Sequence, residues 1–313
     1  MRIGASIWPF RWDVPYEKAI SRIADLGFKA VELIAWNEEI LNGYYTPKRT
    51  GELKKIIRDK GLVLSQFVST PSGMAHPDKK VRDQAVEYFK MALDVCVDLE
   101  AELFNGLPDT PFSAPGPQLP ARPHVQKFQV HTPNNDPDAW KRNWDNYVET
   151  MRHCMALCEA ADLRYALEPH PYSYVFNVGS MLRLIEHVDS QALGVNFDPS
   201  HLFPMGEVPH VAIYQLGDRI FHAHFSDNDG VTNAHWRPGK GKIDWTAVIQ
   251  ALKDIEFDGV ISMELENVPG VSISKTEGPS YASTDATAEF AAENIKAIKY
   301  IQSICKQLGV EFD

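Results

Sequence analysis

The chain has 313 residues, 44% hydrophobic, 23% charged and 11% aromatic, which is enough apolar material for a large core and far from a disordered composition. Its 31 Lys and Arg against 42 Asp and Glu give a net charge of −11. An acidic surface repels phosphate backbones, so nucleic acid is not an expected partner, and no apolar run approaches the length that spans a bilayer.

From the start of the chain, residues 1–10 (MRIGASIWPF) show no basic segment leading into a long apolar run, so no signal peptide is expected. Short β-like runs then alternate with longer amphipathic ones. The β-like runs are RIGASIW (2–8), KAVELIAW (29–36), LVLSQFVS (62–69), AELFNG (101–106), LRYALEP (163–169), ALGVNFDP (192–199), RIFHAHFS (219–226) and GVISMELE (259–266). Helical periodicity marks 16–27, 78–99, 138–161, 180–188 and 244–255, where apolar residues recur at three and four. The segments ADLGFKA and RDKGLVL end helices in a glycine, as left-handed caps require. Eight βα units in this length predict a single (β/α)8 TIM barrel over residues 1–313. A doubly wound sheet is the rival, but the first βα turn, WPFRWDVP, lacks the glycines of a dinucleotide site. Cys96, Cys154, Cys158 and Cys305 lack zinc-knuckle spacing and read as buried thiols in a reduced, cytoplasmic setting.

Two connections exceed the usual length. Residues 107–137, after the fourth strand, hold eight of the 21 prolines together with His124, Lys127 and His131; residues 267–284 follow the eighth strand. Both would lie over the face where barrel active sites form, as lids or subunit contacts, or as solvated excursions without a role.

The chemistry is expected at four consecutive strand ends. Strand five ends in Glu168, strand six in Asp198, strand seven carries His224 and strand eight Glu264, with spacings of 30, 26 and 40 residues, each about one βα unit. Three carboxylates and an imidazole on one rim suit one divalent ion, Mn²⁺ first, then Co²⁺, Mg²⁺ or Zn²⁺. Taken singly, each residue has a plainer reading. Asp198 before Pro199 fits a helix N-cap or Asx turn, His224 a satisfied core histidine, and the glutamates ordinary salt bridges. The conjunction is what those readings explain poorly. His201, three beyond Asp198, would orient a ligand or meet a substrate hydroxyl, or lie in a surface loop. Trp8, Phe10, Trp12, Trp36, Tyr172, Tyr174 and Phe176 would line a pocket or pack the rim.

The ordered set of Glu168-Pro169, Asp198-x-x-His201, His224 and Glu264, followed by RPGKGKIDW (237–245), resembles the xylose isomerase-like barrel superfamily, in particular its sugar phosphate isomerase/epimerase branch with the ketose 3-epimerases. The resemblance runs through the whole chain. It implies that Glu168, Asp198, His224 and Glu264 bind one divalent metal, usually Mn²⁺, and that Glu168 and Glu264 also shuttle protons. His201 and Arg237 would contact the sugar, with Trp8, Trp36 and Tyr174 as further substrate-binding residues. The implied reaction is proton abstraction α to a carbonyl through an enediolate, giving epimerisation or isomerisation. With a leaving group β to the carbanion, the outcome is a lyase, as in inosose dehydratases or the large subunit of C-glycoside deglycosidases acting on 3-keto glycosides.

The implied partners are a sugar or keto sugar and further copies of the chain, or a heteromeric subunit. Tyr174 stands where epimerases have a further sugar-binding Glu, and DNDGVTNAHW (227–236) is longer than usual, which leaves the substrate open. Two rivals are an apurinic-site endonuclease, to whose extra metal set Asn233-x-His235 bears a faint likeness, and a non-catalytic sugar-binding barrel.

Overall fold

The computed structural model describes residues 1–111, 137–266 and 287–313. Each of the eight β-like runs holds one strand: β1 Arg2–Ala5, β2 Ala30–Ile34, β3 Val63–Val68, β4 Phe104–Gly106, β5 Tyr165–Leu167, β6 Leu193–Phe197, β7 Ile220–Phe225 and β8 Val260–Met263. They form a closed barrel in chain order. Every pairing is parallel, and β8 returns to β1 with Arg2 opposite Val260 and Ala5 opposite Met263. The (β/α)8 barrel expected from periodicity is the fold observed.

Ten helices are described: α1 Glu17–Asp25, α2 Glu38–Gly43, α3 Pro47–Asp59, α4 Lys79–Asp98, α5 Pro137–Ala160, α6 Val178–Val188, α7 Pro199–Leu202, α8 Pro209–Leu216, α9 Trp245–Asp254 and α10 Ala288–Leu308. Their ends follow local chemistry. The α6 helix starts at a capping box in which Asn177 and Ser180 satisfy each other's backbone, and it stops at Asp189 in the left-handed region. Gly27 (φ 95°) and Gly61 (φ 69°) turn the chain from α1 into β2 and from α3 into β3, as the glycine positions suggested.

Apolar residues fill the layer between barrel and helices. Under α4, Phe89, Phe104 and Tyr165 meet with ring centroids 4.9–5.3 Å apart. Inside the barrel the picture reverses near the C-terminal rim. Glu32, Gln66, Asn196, His222, His224 and Ser262 are all fully or almost fully buried and hydrogen-bonded or ion-paired across strands. Buried polar groups persist only when satisfied, and here they satisfy one another across the barrel.

The two long connections fall between β4 and α5 and between β8 and α10. Residues 112–136, with His124, Lys127 and His131, and residues 267–286 lie outside the described residues.

Candidate active site

Four consecutive strand ends converge. Glu168 follows β5, Asp198 follows β6, His224 lies in β7 and Glu264 follows β8. All four are buried, and one ligand atom from each lies within 4.8 Å of the others. His224 Nδ1 stands 3.0 Å from Glu168 Oε1 and 3.1 Å from Glu264 Oε2. Donor atoms on neighbouring positions of a metal ion with bonds of about 2.1 Å lie about 3.0–3.4 Å apart, so these separations fit a shared cation.

The backbone arranges each group. Asp198 is the N-cap of α7, with Oδ1 accepting from Ser200 N at 2.7 Å, while its buried Oδ2 has no hydrogen-bond partner. The cap and ligand readings of Asp198 are therefore compatible, one oxygen for each. Glu264 Oε1 accepts from Trp8 Nε1 at 2.8 Å, and its Oε2 is likewise buried without a hydrogen bond. Both oxygens have a histidine nitrogen beside them, His235 Nε2 3.4 Å from Asp198 Oδ2 and His224 Nδ1 3.1 Å from Glu264 Oε2, a donor set whose chemistry fits a divalent cation.

Electrostatics agree with that fit. Burial pushes the His224 imidazole down, but the carboxylates of Glu32, Glu168 and Glu264 outweigh it and hold the group well above its ordinary value. Burial raises Glu264 far above the usual carboxylate range, against the pull of His224. Asp198 is driven up by burial, yet His201 and His235 overcome this and lower it. Carboxylates packed this closely repel one another, and either extra protons or a cation relieves that repulsion.

A cavity of about 220 Å³ adjoins the cluster. Its lining includes the polar Glu168, Glu264, Glu266, His170, His201 and His235 and the apolar Trp8, Trp12, Trp36, Ile34, Val68 and Leu107. Among the described residues no lysine or arginine lines it. Trp12 and Trp36 stack at 3.8 Å, Trp36 Nε1 donates to Trp12 O at 2.8 Å, and Trp8 stands edge-on to both Trp36 and His224. His201 Nδ1 lies 2.9 Å from Asn233 Oδ1, and its ring is 4.1 Å from His170 and 4.8 Å from His235. Burial lowers His170 to about 3 and His201 to about 4, so both rings are neutral at neutral pH. His235 resists its burial through Asp198 and is raised to about 10.

Of the substrate-binding residues expected from sequence, the structure brings Trp8, Trp36 and His201 to this cavity and takes two elsewhere. Arg237 pairs through Nε with Glu293 Oε2 at 3.0 Å on α10. Tyr174 faces Trp140 and Tyr147 and lines a separate groove with Trp144 and Arg183. The sequence reading did not assign Glu32, His170 or His222 to the site, and gave His235 no role beyond the faint nuclease likeness. Two of these carried a signal: a lone acid inside AVELI, and a histidine two before His224 in FHAHF, on the same strand face.

Comparison with known proteins finds relatives along most of the chain. The xylose isomerase-like TIM barrel family matches residues 20–301. D-psicose 3-epimerase of Ruminiclostridium cellulolyticum is 23% identical over 262 residues, 82% of this chain and 80% of that protein. Inosose dehydratase of Bacillus thuringiensis is 24% identical over 302 residues, 86% of this chain and 92% of that protein. The crystal structure of D-psicose 3-epimerase with D-tagatose from Clostridium cellulolyticum H10 superposes with a TM-score of 0.75 at 21% identity, covering 97% of this chain and 99% of that one.

Proposed function

This chain belongs to the xylose isomerase-like TIM barrel family, and on that premise we propose that it is a divalent-metal-dependent sugar isomerase or epimerase. The observation that carries the reading is the meeting of Glu168, Asp198, His224 and Glu264 beside a sugar-sized cavity. These four would hold one ion, Mn²⁺ before Co²⁺, Mg²⁺ or Zn²⁺, a choice that mixed oxygen and nitrogen donors favour. When bound, the ion supplies Lewis acidity that lowers the cost of negative charge on a substrate carbonyl oxygen.

The chain's own groups do the rest. One of Glu168 and Glu264 takes the proton from the carbon next to the carbonyl, and the other returns a proton. Return to the opposite face of the same carbon gives an epimer; return to the neighbouring carbon gives an isomer. Trp8, by donating to Glu264 Oε1, fixes which oxygen of that carboxylate remains for chemistry. His201, neutral and tethered to Asn233, offers a hydrogen bond to a sugar hydroxyl. The indoles of Trp8, Trp12 and Trp36 give an apolar face that stacks on a sugar ring and helps exclude water. Cytoplasmic location and self-association go with this reading.

A lyase is the second reading, favoured by the dehydratase relative with its 92% coverage. There the same carbanion expels a β substituent from a keto sugar, with a heteromeric subunit as a further option. A nuclease role is disfavoured by the net charge of −11 and by the three glutamates lining the cavity. Proton NMR in D₂O with ketoses, aldoses, keto inositols and 3-keto glycosides tests the proposal. Exchange at a carbon next to the carbonyl, abolished by chelation, is the expected result. Loss of a substituent instead assigns the lyase, and no exchange with any of them contradicts both.

A further inference from the structure

Beneath the site, on the side away from the cavity, lies a carboxylate that the proposed chemistry does not use. Glu32 belongs to β2, whereas His224 belongs to β7, with β1 and β8 between them around the barrel. Its side chain is fully buried. Its Oε2 stands 3.0 Å from His224 Nε2 and accepts from Ser6 Oγ at 3.1 Å; its Oε1 stands 3.4 Å from His222 Nε2. A buried carboxylate is costly to keep, and here only imidazole rings and small polar groups face it.

The two nitrogens of His224 point opposite ways. Nδ1 faces Glu168 and Glu264, the ligand side, while Nε2 faces Glu32. A neutral imidazole carries one proton, so the nitrogen that gives its lone pair to a metal must leave the proton on the other. Both nitrogens face carboxylates, but with Glu168 and Glu264 committed to an ion Glu32 is the one left to accept a proton, which holds that proton on Nε2 and leaves Nδ1 for the metal. The ring is also held laterally. His222 Nδ1 lies 2.9 Å from Asn196 Oδ1, and Asn196 Nδ2 lies 3.1–3.2 Å from both His224 ring nitrogens. Gln66 Nε2 lies 3.1 Å from His224 Nε2, and with the proton on that nitrogen the Gln66 amide turns to present Oε1, which is buried without another hydrogen bond.

Resting on the metal reading above, we infer that Glu32 is a positioning residue that locks His224 as its Nε2–H tautomer, with Nδ1 aimed at the ion, and so sets metal affinity without touching metal or substrate. His222 and Asn196 serve as the frame that keeps both partners in register. Outer partners of this kind typically change metal affinity 10–100-fold when removed.

The test is a calorimetric Mn²⁺ titration of the metal-stripped full-length chain and of Glu32→Gln, which keeps shape but removes the charge. The expected result is one ion per chain in both, with Kd raised about 10–100-fold in the variant. If the wild type takes up no Mn²⁺, the metal reading fails and this inference with it. If the wild type binds one ion and Glu32→Gln binds it equally well, the inference alone is overturned. Two ions in the wild type with one lost in the variant also overturns it, because Glu32 would then be a ligand between His222 and His224. Should the variant not fold, ¹⁵N NMR of the histidine rings in the Mg²⁺- or Zn²⁺-loaded wild type decides. An Nε2–H His224 supports the inference, and an Nδ1–H ring contradicts it.

Discussion

At the scale of single residues, the Trp8–Glu264 contact makes a sharp prediction. Trp8 Nε1 is within 2.8 Å of Glu264 Oε1, and its ring stands edge-on to His224 at 5.7 Å. Trp8→Phe keeps an aromatic ring but loses the donor. Turnover in the D₂O exchange assay is expected to fall about tenfold, roughly the worth of one hydrogen bond to a charged group, with metal stoichiometry unchanged. Equal turnover would remove Trp8 from the site's machinery. The protonation of His224 and Glu264 makes a second prediction. Both are raised in the metal-free chain, and metal binding needs both deprotonated. Binding therefore releases protons, and affinity rises with pH by up to about one log unit per pH unit for each proton released. Calorimetry in two buffers of different ionisation enthalpy reads this directly; heats independent of buffer contradict it. The four converging residues were legible in sequence because each ends or sits late in a strand, where barrel geometry gives it a fixed direction. The pairing of Arg237 with Glu293 was not legible, because a turn decides the direction of Arg237 and the acid on α10 lies 56 residues downstream.

At the scale of elements, the segment RPGKGKIDW has a structural job distinct from sugar binding. It wraps Asp227, a fully buried carboxylate that accepts from Gly239 N at 2.9 Å, Ile243 N at 3.2 Å and Trp245 Nε1 at 2.9 Å. A Cβ on Gly241 would stand 2.2 Å from Asp227 Oδ1 and from Asn228 O, so only glycine lets the loop close. The segment before it turns back through a bridge between Asp227 and Trp236, which delivers Asn233 and His235 to the cavity side. Asp227→Ala leaves two buried donors, Ile243 N and Trp245 Nε1, unpaired and releases the exposed Gly239 N, and a loss of about 3–5 kcal/mol in denaturant unfolding is expected. A loss under about 1 kcal/mol would show that the loop is held otherwise. Periodicity revealed the eight strands and the major helices because each presents a continuous buried face. It could not reveal the Asp227 hub, since those contacts join a loop to itself without any repeating pattern.

At the scale of the whole molecule, the barrel trades part of its apolar interior for function. Where many barrels fill the centre with branched aliphatic side chains, this one places Glu32, Gln66, Asn196, His222 and His224 there, supported by the apolar layer outside the strands. Such a plug is stabilised by whatever neutralises its carboxylates. Adding Mn²⁺ at 100 times its Kd is thus expected to raise unfolding free energy by about 2.7 kcal/mol and the melting temperature by several degrees. No shift with metal would separate the ion from the folded state. The central claim, that four side chains from adjacent strands hold one divalent ion, is tested most directly by anomalous diffraction from crystals grown with Mn²⁺. A single peak within bonding distance, about 2.0–2.3 Å, of Glu168, Asp198, His224 Nδ1 and Glu264 is the expected map. A peak elsewhere in the chain, or none at these four residues, would contradict the account.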